Sequence, residues 1–411
     1  MTIRAARSQL AGRAALEAEM AVSRSRRFGA LVQSDIRRMT RECERVGGIN
    51  LGQGICDLPT PVPVAEGAIE AIRGNKATYS PYEGVAPLRR EIARSLAAGG
   101  VEADPDREIV VTVGSTGGFA ATLVALLDPG DEILLFEPYY GYHRNQAAIL
   151  GLEVRSVPLE PGSWRLDPGR LKSAISPKTR AIVVNTPANP SGKVFDESDL
   201  DAVAAVCRER DLLAITDEIY ENILYDGRRH LRLAAREGMR SRTVTISGFS
   251  KTFSVTGWRL GWVAAAAELA GPIGLAADLL CVCAPTPLQW GAARGLESLP
   301  ASYYSSLAAD YQKKRDALMT ALAEGGLAAR PPEGAYYVLA DVSALGFSRS
   351  AEAAASLLEE GRVAAIPGTA FFDGDAGEEF LRFCFAKEDG PLAEACERIV
   401  RWGKERREKL R

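Results

Sequence analysis

Histidine is scarce: His143 and His230 are the only two in 411 residues. A Ser-His-Asp triad would need one of them in place, and a multi-histidine metal site has too few ligands. Long apolar runs are missing as well. Stretches such as Val263–Ala267 fall far short of a bilayer span. Neither sign of charge dominates, with 50 Lys and Arg against 53 Asp and Glu and a net charge of −3. No basic stripe with interleaved aromatics occurs, so the chain carries no nucleic-acid footprint. The seven cysteines are odd in number, scattered and without metal spacing. The one close pair, Cys281-Val282-Cys283, reads as buried reduced thiols. Met1–Gly29 has no apolar h-region. It is rich in Arg and Ala, is interrupted by Glu17 and Glu19, and reads as a flexible arm rather than a transit peptide. The expected location is cytoplasmic.

What is present is an ordinary globular balance, 46 % apolar and 25 % charged, in a chain long enough for two domains. From Pro105 to Ala266 short β-rich runs alternate with helical patterns. Candidate strands are Ile109–Val113, Ile133–Phe136, Glu153–Val157, Ala181–Val184, Leu212–Thr216, Thr243–Ser247 and Trp262–Ala265. Amphipathic stretches such as Gly118–Leu127 and Asp196–Arg210 separate them, the second opened by Asp196 as an N-cap. This alternation predicts an α/β fold with a mostly parallel sheet covered on both faces. Ligands in such folds bind beyond the carboxyl ends of the strands. The unusual polar clusters fall there: Gly114-Ser115-Thr116-Gly117, Pro138-Tyr139-Tyr140, Asn189, Asp217 and Lys251. Beyond Pro300 the pattern changes to a helix over Tyr303–Glu324 that leads through the breaker Pro331-Pro332-Glu333-Gly334 into Ala335–Ala340, then a helix at Ala351–Gly361, a loop at Ile366-Pro367-Gly368 and a strand at Phe380–Phe385. The division expected is an arm (1–28), a large domain (62–300), and a smaller α+β domain made of 29–61 and 301–411.

Lys251 stands among small and hydroxyl residues in the run Ser247–Trp262, just after an apolar strand, with Arg259 eight positions later. A lysine that must join an aldehyde cofactor needs a sheltered site where its amine is neutral part of the time. An arginine that never loses its charge suits the cofactor's phosphate. The residues of Gly114–Gly117 precede a helix, whose first amides form an anion site. Asp217 ends a strand and could simply cap the next helix; facing a pyridine nitrogen, it would keep that nitrogen protonated. Asn189 could be only a turn residue. Arg382 lies in the alternating strand Leu381–Phe385, where an inward guanidinium is costly without an anion.

The run around Lys251, taken with Asn189-Pro190-Ser191-Gly192 and Thr216-Asp217-Glu218-Ile219-Tyr220, resembles the class I/II aminotransferases, fold-type I enzymes that use pyridoxal phosphate. The resemblance spans about residues 49–387. It implies a seven-stranded, mostly parallel sheet between helices and a covalent link between Lys251 and the cofactor. It assigns Asn189 and Tyr220 to the cofactor's phenolic oxygen, and Asp217 to its ring nitrogen. The phosphate falls to Ser115, Thr116, Ser250 and Arg259, and ring stacking to Tyr140. The substrate's α-carboxylate falls to Arg382, Gly54 and Asn189. Tyr79 would reach the phosphate of a neighbouring subunit, which implies a homodimer. Thr116 stands where some aspartate aminotransferases carry a lysine, which argues against a dedicated aspartate enzyme. Leu51-Gly52-Gln53-Gly54 and Arg382-Phe383-Cys384-Phe385 look more like the kynurenine/glutamine transaminase branch.

Transamination of an L-amino acid with a 2-oxo acid is the expected reaction, with Lys251 as the base that moves the α-proton. A β-lyase on the same fold would use the same residues. A cofactor-binding regulatory module is disfavoured because no basic helix-turn-helix precedes the domain. A dinucleotide dehydrogenase fails for lack of a Gly-x-Gly-x-x-Gly turn after the first strand.

Overall fold

The computed structural model describes Ser25 and residues 35–411. Apart from Ser25, the arm expected over residues 1–28 lies outside the described residues. In chain order a short strand β1 (Ile49–Asn50) is followed by β2 (Ile109–Val113), β3 (Glu132–Glu137), β4 (Glu153–Pro158), β5 (Thr179–Asn185), β6 (Leu213–Asp217), β7 (Thr243–Gly248) and β8 (Leu260–Ala264). The last seven form one sheet in the order β2-β8-β7-β6-β5-β3-β4. All of them run the same way except β8, which is antiparallel to both β2 and β7. Each lies within a residue or two of its expected position.

Both faces of this sheet are covered, and the alternation along each strand shows how. Ile133, Leu135 and Val183 pack with Phe119, Leu123 and Ile273 from the helices Gly114–Leu126 and Ala267–Cys281. Leu134, Phe136, Ile182 and Val184 turn the other way, toward Leu200 and Val203 of the helix Glu197–Arg210. Successive side chains on a strand face opposite sides, so a double-sided sheet needs near-continuous apolar runs. The helix Glu197–Arg210 is opened by a capping box between Asp196 and Asp199.

The reversed direction of β8 matters for the site. Its first residue, Leu260, pairs with Val113 at the end of β2. Arg259 therefore emerges at the edge where the parallel strands finish, beside Gly114. The same edge receives Asn185, paired with Asp217 across β5 and β6, and the β7 segment leading to Lys251.

A second sheet orders β12 (Ile366–Pro367), β13 (Phe380–Cys384), β10 (Tyr337–Asp341) and β9 (Ala328–Ala329) antiparallel, after β9 and β10 and before β13 in the chain comes β11 (Val363–Ala364). β11 pairs in parallel with β1, and β12 and β10 both pair with Arg382 of β13, through Ile366 and Leu339. The expected loop at Ile366-Pro367-Gly368 is thus partly a strand, because Ile366 and Pro367 meet β13. The helix expected from Gly118 begins at Gly114. Cys281 and Cys283 are not a buried pair: Cys281 is exposed and Cys283 half-buried, since the helix Ala267–Cys281 ends there at the surface. No helix among the described residues is long and apolar enough to cross a membrane.

Candidate active site

Gly114 has a positive φ of 69°, and a Cβ there would lie 2.5 Å from Arg259 Nη2. Gly261 is as tightly placed, its Cβ position falling 2.4 Å from Ser115 N. These two glycines let the Arg259 guanidinium lie against the start of the helix Gly114–Leu126. Val113 provides no side-chain cap for that helix. Its first amides, at Ser115 and Thr116, are therefore donors without a cap, backed by the helix dipole and a fixed cation. Such an arrangement suits an anion.

Lys251 follows β7 and extends toward the segment Asn50–Gly54. Its Nζ donates to Gly54 O at 3.1 Å and lies 5.5 Å from the Tyr336 ring centre and 5.9 Å from that of Tyr220. Burial pushes the amine's pKa below its ordinary value, and the nearby Arg259 charge adds to this. The neutral, nucleophilic form is thereby more accessible than in an ordinary lysine.

Asp217 is the buried last residue of β6, with Oδ2 2.9 Å from His143 Nε2. Its Oδ1 accepts from Ile219 N at 3.3 Å, the local cap that a strand-end aspartate provides. His143 packs against the rings of Phe119 at 4.5 Å and Tyr140 at 5.2 Å. Asn185 Nδ2 donates to Asp217 O while Asn185 Oδ1 accepts from Asn189 N, so one side chain ties the ends of two neighbouring elements. Tyr220 donates to Tyr337 Oη at 3.2 Å, and burial raises both phenols so that they stay protonated.

Arg382 is 1 % exposed. Its Nη1 donates to Asn189 Oδ1 at 2.9 Å and its Nη2 to Gly52 O, while Tyr337 and Phe371 cover the guanidinium faces at 4.4 and 4.7 Å. Its Nε has no partner among the described residues. A buried guanidinium with no facing carboxylate and a donor to spare fits an anionic ligand.

All the candidate residues except Tyr79 line one cavity of about 460 Å³. Tyr79 is 83 % exposed and stands outside it. The cavity also takes in His143, Tyr337, Gln53, Gln146 and Arg37, which sequence reasoning passed over. A lone histidine three residues after an aromatic offers no pattern, and Tyr337 reads as an ordinary apolar position of its strand. The cavity thus combines a lysine with a lowered pKa, an anion site with a fixed cation, a buried carboxylate and a second, buried arginine. That donor set fits a phosphorylated pyridine aldehyde and an amino acid.

The family model for aminotransferases of class I and II matches residues 46–399. The chain is 38% identical over 392 residues to a probable N-succinyldiaminopimelate aminotransferase DapC of Mycobacterium tuberculosis, covering 92% of this chain and 98% of that one. It is 35% identical to an aspartate aminotransferase of Pyrococcus abyssi, over 85% of this chain and 90% of that one. The solved structure of N-succinyldiaminopimelate aminotransferase from Mycobacterium tuberculosis superposes with a TM-score of 0.90 at 37% identity, covering 92% of this chain and 100% of that one. The chain belongs to the class I and II aminotransferases and is a pyridoxal-phosphate-dependent enzyme of fold type I that moves an amino group between an L-amino acid and a 2-oxo acid.

Proposed function

We propose that Lys251 holds the cofactor through its amine and, once released by substrate, serves as the base that takes the α-proton at Nζ. The observation that carries this is its amine, held below its ordinary pKa and opening on the same cavity as Asp217, Arg259 and Arg382. Pyridoxal phosphate, when bound, supplies a ring that withdraws electrons from the substrate's α-carbon. Asp217, oriented by His143, would keep the ring nitrogen protonated. The first-turn amides and hydroxyls of Ser115 and Thr116, with Ser250 and Arg259, would hold the phosphate. Tyr140 would stack on the ring.

Asn189 Oδ1 accepts from Arg382, so its amide NH2 is the end free to donate to the phenolic oxygen alongside Tyr220. Arg382 would take the α-carboxylate as a bidentate partner, with Asn189 and Gly54 shaping the same corner. Residues 62–300 would form the large cofactor-binding part. Residues 301–411 with 29–61, of which 29–34 lie outside the described residues, would form the smaller one, a division supported by the pairing of β1 with β11.

The active unit in this reading is a homodimer. Tyr79 is exposed, and so are the large apolar residues Leu275, Leu279 and Val282, with Leu279 80 % exposed. Gln289 ties the two segments together, donating to Ser80 Oγ and to Ala284 O. A second copy covering this face would let Tyr79 reach the neighbouring phosphate. All seven cysteines are free thiols, which fits a reducing compartment such as the cytoplasm.

One experiment tests lysine and dimer together. Lys251→Ala protein should not turn over, and Tyr79→Ala protein should be impaired. Re-forming dimers from a mixture should restore part of the activity, because one site then has its own Lys251 and Tyr79 of the partner subunit. Wild-type turnover by Lys251→Ala contradicts the lysine assignment; no recovery on mixing contradicts the shared site.

A further inference from the structure

Among the described residues, one cation at the cavity has no task in the chemistry above. The described lining carries Arg37, Lys251, Arg259 and Arg382 against one carboxylate, Asp217. On the reading just given, Lys251 serves the reaction, Arg259 the phosphate and Arg382 the α-carboxylate. Arg37 is exposed to solvent at the cavity and makes no ion pair or side-chain hydrogen bond among the described residues.

Its position is nonetheless fixed. Arg37 lies in the first turn of the helix Asp35–Val46, which is anchored through buried Met39 and Cys43. One turn on, Thr40 donates to Gln53 Oε1 at 3.0 Å and accepts from Asn50 Nδ2 at 3.2 Å. Residues three apart on a helix share a face, so Arg37 is directed to the same side as Thr40. The segment that Thr40 grips is the one whose Gly52 O accepts from Arg382 and whose Gly54 O accepts from Lys251. Arg37 therefore stands in fixed relation to both groups that hold the reacting end of the amino acid. A free guanidinium beside neutral Gln53 and Gln146 suits a carboxylate.

We infer that Arg37 is a specificity-determining residue that binds a second carboxylate, at the far end of the substrate side chain. The favoured substrates are then acidic amino acids and the matching 2-oxo acids. This rests on the aminotransferase reading and deepens it.

The test compares kcat/KM of the holoenzyme for two pairs of similar shape, L-glutamate against L-glutamine and L-2-aminoadipate against L-norleucine, in wild type and Arg37→Gln. The wild type should prefer the acidic member of at least one pair. Arg37→Gln should lower kcat/KM for that acid by about 10- to 100-fold, mainly through KM, and leave its neutral counterpart within about 2-fold. High salt should erode the wild-type preference, because the arginine is exposed. A wild type without acidic preference overturns the inference while the transaminase reading stands, and so does a variant that loses equally on both members or on neither. A wild type that transaminates no amino acid removes the underlying reading instead.

Discussion

Replacing Glu218 with Gln should destabilise the fold by about 3 kcal/mol at neutral pH. Glu218 follows Asp217 directly and is fully buried. Its Oε2 meets His230 Nε2 at 2.7 Å and Arg232 Nη1, and its Oε1 accepts from Thr216 Oγ1 at 2.8 Å. Arg232 also pairs with Glu221, which accepts from Ser247 Oγ at 2.7 Å. Burial alone would raise the Glu218 carboxyl, but the charges of Arg232 and His230 outweigh it and bring its pKa from 4.5 to about 2. That gap corresponds to about 3 kcal/mol. The cost of breaking a buried ion pair, about 3–5 kcal/mol, agrees with it. Because the folded pKa is depressed, the contribution is complete above the unfolded value of 4.5 and is lost as pH falls toward 2. Urea unfolding of both proteins at one protein concentration, at pH 7.5, 5.0 and 3.5, reads the difference. It should be full at the two higher values and smaller at the lowest. A difference below about 1 kcal/mol at pH 7.5, or one that does not change with pH, refutes the reasoning.

Two further outcomes follow from the site. A Cβ at position 54 would fall 1.8 Å from Tyr337 Oη, so Gly54→Ala must push Tyr337 off Tyr220. It should cut kcat/KM by at least ~10-fold and lower stability by about 1–3 kcal/mol; a variant with wild-type kinetics and melting contradicts the packing. The lowered pKa of Lys251 means that its neutral amine forms at lower pH than in an ordinary lysine. Cofactor uptake by the apoprotein should therefore rise with pH, with a midpoint below 10.5; a midpoint at or above it contradicts the burial argument.

The seven strands of the main sheet were legible because burial on both faces demands apolar runs, and turn residues bound each one. Strand direction was not, since a period of two is the same either way. Only the pairing of Leu260 with Val113 shows that β8 runs backwards and delivers Arg259 to the site edge. The start of the helix at Gly114 was hidden by a glycine-rich run that reads as a loop. His143 carried no signal because its partner, Asp217, is 74 residues away in sequence. Arg37 sits in a helix crowded with Arg38, Arg41, Glu42, Glu44 and Arg45, a pattern that reads as a solvated face; its place at the cavity follows only from tertiary packing. Lys251 and Asp217 stood out because each follows an apolar strand with a polar group, and Asn189 through the motif Asn189-Pro190-Ser191-Gly192.

The most direct measurement is reduction of the holoenzyme with borohydride, followed by digestion and mass mapping of the cofactor adduct. The account predicts a single adduct on the peptide carrying Lys251, and none in Lys251→Ala protein. An adduct on another lysine, or no adduct in wild-type protein saturated with pyridoxal phosphate, would contradict it.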